Sequence, residues 1–151
     1  MKLSYLLILL VLTSVSCTRT ENGIVFGIPD YEKRSLKVSI TDLKILQQTK
    51  LLLANSGDWT NDNVRSCTGS PPYNLYCALE KASITIAGQY IHRRPALQEV
   101  RFVIDELFRK RWKVHRLADF NAHPMTTFDE VIMVIDKATD KVKLKLASNQ
   151  Q

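Results

Sequence analysis

The sequence predicts an all-α protein, a compact bundle of about four to five helices. Three observations support this prediction. Apolar residues recur at intervals of three and four in several segments, helix-capping residues precede some of them, and short stretches rich in Gly, Pro and Asn separate them. One short strand near the N-terminus, at residues 24–26, remains compatible with the pattern. The 151 residues suffice for one domain with a hydrophobic core and are too few for two.

The first two predicted helices occupy the first half of the domain. Thr41 is expected to cap the first helix, and "NSG" at residues 55–57 is expected to end it. The apolar stripe of the second helix contains Leu75, Leu79, Ala82 and Ile86. The segment "KASITIAG" at residues 81–88 contains β-branched side chains, which lower helix propensity, so a short strand is the alternative there.

The last two long helices have the clearest boundaries. Pro95 suits the first turn of a helix, where its missing N–H costs nothing, and the cations Arg109, Lys110 and Arg111 are expected to close that helix. "TFDE" at residues 127–130 is a capping box, in which Thr127 and Glu130 exchange hydrogen bonds with the backbone. Helical spacing then continues through Val131, Val134, Ile135, Ala138 and Val142.

A turn is predicted between Asn121 and Met125. Pro124 excludes a continuous helix and pushes His123 toward an extended conformation. Asn121 is expected to end a preceding short helix in a left-handed conformation, so that glycine would replace it at little cost. The local physics of this turn requires no ligand.

The N-terminus has the pattern of a secretory signal, which gives three regions: a signal at 1–17, a linker at 18–38 and a helical domain at 39–151. Lys2 precedes a short apolar run that is followed by small residues. "TSVSC" resembles a bacterial lipobox, which predicts a lipid on Cys17, although Ser14 replaces the commoner leucine. An ordinary signal cleaved nearby, which would release a secreted or periplasmic protein, is the alternative.

The three cysteines bear on both the compartment and the chemistry. With lipid on Cys17, Cys67 and Cys77 can form a disulfide, which suits an oxidising compartment. Alternatively, Cys77 is a catalytic thiol, with His115 or His123 as base and Asn121 as the orienting group. No cysteine or histidine spacing predicts a metal site, and no cofactor is expected.

The positive charge indicates possible partners. The chain has a net charge of +6, which favours anionic surfaces and is too small and too poor in patterned aromatic residues to predict nucleic-acid binding. A basic run around Trp112 could contact a membrane or a polyanion. Its cations are Arg109, Lys110, Arg111 and Lys113. The dibasic pair Lys33 and Arg34 would be a cleavage point in a processed precursor.

Three ordered blocks resemble a bacterial and phage family of uncharacterised helical domains. They are "GDWT" at 57–60, "YCALEKA" at 76–82 and "FNAHPMTTFDEV" at 120–131. The family blocks read G-x-W-T, W-C-A-L-G-A-L and W-N-D-x-P-G-R-T-x-x-E-V. The resemblance implies a compact helical domain of unknown function. The family has glycine, aspartate and arginine at the positions of Glu80, Ala122 and Thr126.

These patterns together predict an exported helical binding or accessory domain that is anchored to a membrane by lipid on Cys17. A Cys-His thiol hydrolase using Cys77 is one alternative, and a secreted effector or processed precursor is another. The sequence does not indicate a substrate, a protein partner or an oligomeric state.

Overall fold

The fold is all-helical, as predicted. The computed structural model describes Glu32, Arg34 and residues 36–149, and these residues form five α-helices and no strand. Short 3-10 turns lie at Ser56–Asp58 and at Arg109–Arg111. The helices are α1 (Ile40–Leu52), α2 (Leu75–Ala87), α3 (Pro95–Leu107), α4 (Arg116–Asn121) and α5 (Phe128–Ser148). The predicted signal, the strand at 24–26 and Cys17 lie outside the described residues.

Helix α1 begins two residues earlier than predicted. Ser39, and not Thr41, is the N-cap, because Ser39 and Asp42 form a capping box in which the Asp42 carboxylate accepts from the Ser39 N–H at 2.8 Å. The other oxygen of Asp42 accepts from the N–H of Ala96 at 3.1 Å, which joins the starts of α1 and α3. Val38 is buried in the core, so packing begins one residue before the predicted domain boundary.

Helix α2 includes the segment 81–88 up to Ala87, so the strand alternative for that segment is wrong. Asn74 caps the helix through a hydrogen bond from the N–H of Cys77, and Gly88 ends it in the left-handed region at φ 72°. The two caps and the buried face of α2 therefore outweigh the low helix propensity of the β-branched residues.

The core is formed by buried side chains of helices α1, α2, α3 and α5, and α4 adds Leu117 and Phe120. Helix α3 packs against α1, α4 and α5, and it is buried from Ala96 to Ile104. Helix α5 is 21 residues long and buries the predicted stripe of Val131, Val134, Ile135, Ala138 and Val142. No helix among the described residues has both the length and the apolar character needed to cross a bilayer.

Candidate functional site

Cys67 and Cys77 form a disulfide. Their sulfur atoms lie 2.11 Å apart, and the bond closes the loop before α2. Cys77 lies in the first turn of α2, and its N–H donates to the Asn74 side chain at 2.8 Å. In this form Cys77 has no thiol to serve as a nucleophile.

Asn121 is the centre of a buried hydrogen-bond network. Its side-chain oxygen accepts from Trp59 Nε1 at 2.7 Å and from the N–H of Leu75 at 3.0 Å. Its amide nitrogen donates to the carbonyls of Thr60 at 2.9 Å and Asp62 at 2.8 Å. The side chain is fully buried and uses its two donor hydrogens and both acceptor positions. Asn121 therefore joins the end of α4 to the 59–62 loop and to the start of α2.

The prediction that Asn121 adopts a left-handed conformation is wrong. Asn121 is the last residue of α4, and no non-glycine residue in the described chain has a positive φ. The turn follows it: the N–H of Thr126 donates to the carbonyl of His123 at 2.8 Å, with Pro124 between them. The Asn121 side chain makes four hydrogen bonds, so the reason to expect little cost from a glycine is absent, and we predict instead that Asn121→Gly destabilises the domain.

The capping box at the start of α5 is present and is extended by a cation. Thr127 and Glu130 make the reciprocal bonds, and the Arg111 guanidinium also contacts both Glu130 oxygens, at 2.5 and 3.0 Å. These bonds, with that from Arg111 foremost, lower the pKa of Glu130 below its ordinary value. Thr126 is buried and donates to the carbonyl of Phe120 at 2.7 Å.

The basic run does not close α3 as predicted. The helix ends at Leu107, and Arg109–Arg111 form a separate 3-10 turn, because Phe108 leaves the helical conformation and Arg111 reaches back to α5. Trp112 packs against the core, and the guanidinium groups of Arg109 and Arg116 lie over its ring at 4.2 and 5.4 Å.

The two candidate histidine bases have different surroundings. His115 is the N-cap of α4, and its Nδ1 accepts from the N–H of Ala118 at 3.2 Å. His123 lies in the turn, where its Nδ1 accepts from the N–H of Met125 at 3.2 Å. Each histidine therefore has a local backbone role.

A polar cavity of about 180 Å³ lies where α3 and the start of α4 meet the 90–94 loop. We call it the arginine pocket. Its lining includes Glu32, His92, Arg93, Arg101, His115 and Arg116.

Arg101 is the buried cation of the arginine pocket, with 5% of its surface exposed. Its Nη1 donates to the carbonyl of His92 at 2.8 Å and to the side-chain oxygen of Gln98. Its Nη2 lies 3.2 Å from Nε2 of His92. Among the described residues, no carboxylate lies within ion-pair distance of Arg101. Burial lowers its pKa, because a low-dielectric surrounding disfavours the charged form.

The contacts of His92 determine its tautomer. Arginine can only donate, so Nε2 of His92 accepts from Arg101, and Nδ1 carries the hydrogen that faces the Tyr90 hydroxyl at 2.9 Å. Burial, followed by the charge of Arg101, lowers the pKa of His92 to about 4. The ring is therefore neutral at pH 7 and adds no charge to the pocket.

Two further groups around His92 have shifted pKa values. Burial raises the pKa of Tyr90, and a hydrogen bond with Tyr76 raises it further, so the Tyr90 hydroxyl stays protonated. Burial and the charge of Arg101 lower the pKa of His115, whose ring stacks edge-on against Tyr76 at 5.4 Å and His92 at 5.8 Å. On the side formed by His92 and His115, the pocket wall is thus aromatic and neutral.

Ion pairs and backbone bonds fix the other side of the pocket. Arg116 bonds Glu32 at 2.6 Å and Asp105 at 3.1 Å. Burial raises the pKa of Asp105 despite the charge of Arg116. One oxygen of Asp119 accepts three successive backbone N–H groups, from residues 113–115, at 2.7 to 3.0 Å. These three hydrogen bonds fix the conformation of the loop at residues 113–115 and so hold His115 at the pocket.

Comparison with known proteins identifies the family. The family of unknown function DUF6197 matches residues 38–141. The chain belongs to this family. No curated protein and no solved structure matches it. The DUF6197 match runs from the buried Val38 through most of α5 and includes both the Asn121 network and, except for Glu32, the lining of the arginine pocket.

This DUF6197 domain also has an open apolar groove of about 730 Å³ between α1 and the start of α5. Leu51, Leu53, Phe128 and Ile132 line it, and Lys50 and Asp129 stand at its polar margin. No group of three or more His, Cys, Asp and Glu side chains in the described part of the chain could hold a metal ion.

Sequence reasoning missed the arginine pocket. Arg101 lies among buried residues of α3 together with Gln98 and Glu99, and three buried polar residues in one helix are unusual. In the sequence the same residues have the pattern of a polar outer face, so their burial gave no signal before the structure was known. The partners of Arg101 could not be read from it, because His92 belongs to a loop and His115 to another helix.

Proposed function

We propose that this protein is an exported binding or accessory domain that is anchored to a membrane by lipid on Cys17. The observation that carries the proposal is the disulfide between Cys67 and Cys77. It supports export because such bonds persist in oxidising compartments. The disulfide uses two of the three cysteines. The third, Cys17, lies in a sequence that resembles a lipobox.

A binding role agrees better with the geometry than hydrolysis by Cys77. The disulfide consumes that thiol, and the amide of Asn121, which would orient a histidine base, is occupied by four structural hydrogen bonds. The arginine pocket and the apolar groove offer concave surfaces on which a ligand could be held.

Contact with an anionic membrane surface would use the exposed cations of the basic run. Arg111 is engaged by Glu130, and Arg109 covers Trp112. Lys110 and Lys113 are exposed. Arg109 is also exposed, and its contact with the Trp112 ring does not neutralise its charge. Any electrostatic attraction by this run therefore depends on Arg109, Lys110 and Lys113, and it supplements the lipid, since so few cations bind a membrane weakly.

The anchor is tested by intact-mass analysis and fractionation of the exported protein. We expect a mature chain that begins at Cys17 and carries acyl chains, and Cys17→Ser should move the protein from the membrane fraction to the soluble fraction. The matched control is the double variant Cys67→Ser, Cys77→Ser, which removes the disulfide and should remain membrane-bound. A mature mass without lipid, or an unchanged distribution of Cys17→Ser, would contradict the proposal.

A further inference from the structure

The apolar groove lies on the outer face of α1 and α5. Leu51 and Ala54 belong to its α1 wall, and Phe128 and Ile132 belong to its α5 wall. Leu51 leaves 69% of its surface exposed, although it is a large apolar residue in a regular helix. A groove between two helices with apolar side chains on both walls has the shape and chemistry to pack against another helical surface.

Helices α1 and α5 form this face as an antiparallel pair. Nζ of Lys50 lies 2.6 Å from Oδ1 of Asp136. Ala54, one turn later in α1, lines the groove together with Ile132, one turn earlier in α5. A two-fold axis parallel to these helices would place α1 of one copy on α5 of a second copy, again antiparallel. The four helices would then form a bundle.

The two walls of the groove carry opposite charges. The charged side chains that line it are Lys50 on α1 and Asp129 on α5. The other exposed charge of α1 is also a cation, Lys44, whereas Asp42 is buried at the start of the helix. Asp129 makes no ion pair within the described residues. Packing α1 of one copy on α5 of another therefore sets positive against negative twice, whereas α1 on α1 would oppose like charges.

The N-terminal segment of the same chain meets the domain elsewhere. Glu32 bonds Arg116 at the start of α4, and the carbonyl of Arg34 accepts from Nζ of Lys145. Lys145 and Ile132 are separated along α5 by more than three helical turns, which is about 20 Å. The described chain thus begins near the opposite end of α5 from the groove. This position favours a second copy, and not the preceding residues of the same chain, as the occupant.

We propose that this face is the interface of a two-fold symmetric homodimer, in which α1 and α5 of two copies form a four-helix bundle. Leu51 of each copy enters the groove of the other, and Lys50 of one copy faces Asp129 of the other. A face of two helices is small for a stable interface, so the dimer dissociates in the micromolar range. This inference goes beyond the proposed function, since association requires neither the lipid nor a ligand.

The test is sedimentation equilibrium of the purified Cys17→Ser chain, in which no lipid can drive association. In low salt we expect the mass to rise from one chain to two, with a dissociation constant of about 1 to 100 μM. Leu51→Glu places a charge in the apolar centre and should weaken association at least about tenfold. Val114 is 90% exposed in the loop before α4, outside the groove, so Val114→Glu is the matched control and should stay within about twofold.

Charge reversal tests the arrangement of the two copies. Lys50→Glu makes both charged groups of the groove negative and Asp129→Lys makes both positive, so each variant alone should associate at least about tenfold more weakly. An equimolar mixture of the two variants should recover the affinity of the unmodified protein within about threefold, because both contacts then join opposite charges. Arg65 is exposed and lies outside the groove, and Arg65→Glu should leave association unchanged.

The mixture also excludes an effect on folding alone. Lys50→Glu breaks the pair with Asp136 inside its own chain, and this loss persists in the mixture. Recovery of association in the mixture can therefore come only from contacts between the two variants. Circular dichroism and Tm show in addition that each variant is folded.

Each outcome decides the proposal. A dimer that is weakened by Leu51→Glu, kept by Val114→Glu and restored in the mixture of charge variants supports it. The mass of a single chain at every concentration, a dimer unaffected by Leu51→Glu, or a mixture no tighter than its components would each overturn it. A single chain that becomes a dimer after deletion of residues 18–31 would assign the groove to that segment instead. The anchor experiment does not enter these measurements, so the two proposals fail separately.

Discussion

Replacing Asn121 with alanine should strongly destabilise the domain. The substitution leaves two N–H donors, the buried Leu75 amide and Nε1 of the half-buried Trp59, and two carbonyl oxygens without their partner. An unsatisfied buried polar group costs about 1–3 kcal/mol, and a carbonyl tolerates the loss better than an N–H. Counting mainly the two donors, we expect Asn121→Ala to lower the free energy of unfolding by about 3–5 kcal/mol.

That loss is a large part of the stability of a single domain, which is about 5–15 kcal/mol. The assay is urea unfolding followed by circular dichroism, because fluorescence would also report the changed environment of Trp59. Asn63 is exposed in the adjoining loop and its side chain makes no hydrogen bond in the described structure, so Asn63→Ala is the matched control. We expect Asn63→Ala to change the free energy of unfolding by less than about 0.5 kcal/mol.

An aspartate at position 121 separates the donor and acceptor functions. Asn121→Asp keeps the oxygen that accepts from Trp59 Nε1. The amide nitrogen, which donates to the carbonyls of Thr60 and Asp62, is replaced by a carboxylate oxygen that faces these two carbonyl oxygens. This repulsion should raise the pKa of the new carboxyl, so the variant should recover stability relative to the unmodified protein as pH falls from 7 to 5. The reasoning is refuted if Asn121→Ala costs less than about 1 kcal/mol or no more than Asn63→Ala.

Three further predictions follow from local contacts. Thr127→Ala removes the capping hydroxyl of α5 and should lower the free energy of unfolding by about 1 kcal/mol in urea titration; no change would exclude the cap. Removing the disulfide with Cys67→Ser and Cys77→Ser should cost about 3 kcal/mol by loop-closure entropy across its 10-residue separation, and a loss below about 1 kcal/mol would contradict this. The folded-state pKa of His92, lowered to about 4, lies below its unfolded value near 6.5, so the unfolded chain binds the proton first as pH falls. The contribution of His92 to stability is therefore complete above pH 6.5 and declines toward pH 4, and His92→Gln should flatten the Tm profile over that range; a profile identical to that of the unmodified protein would refute the assignment.

The parts of the fold that could be predicted from sequence are those fixed by neighbouring residues. The α5 stripe and its capping box depend on spacings of three and four, and Pro95 begins α3 as expected. The N-cap of α1 was predicted at the wrong residue because Thr41 and Ser39 can both cap a helix. Asp42 favours Ser39, because it forms a capping box with that residue. That preference could have been read from the sequence.

The role of Asn121 could not be predicted in the same way. Its partners lie 46 to 62 residues earlier in the chain, so no local pattern links them. The turn that follows, at Pro124, was predicted because proline restricts its own neighbours. Residues 121–126 thus contain both a turn and one member of a buried side-chain network, and sequence reasoning detected only the turn.

The two sites described here share one short element. Helix α4 has six residues, too few to be stable without tertiary contacts. His115 and Arg116 at its start line the arginine pocket, and Asn121 at its end is tied to the loop that leads toward the disulfide. Because α4 depends on packing and on Asn121 for its position, the Asn121 network holds two pocket side chains in place, although Asn121 itself does not line the pocket.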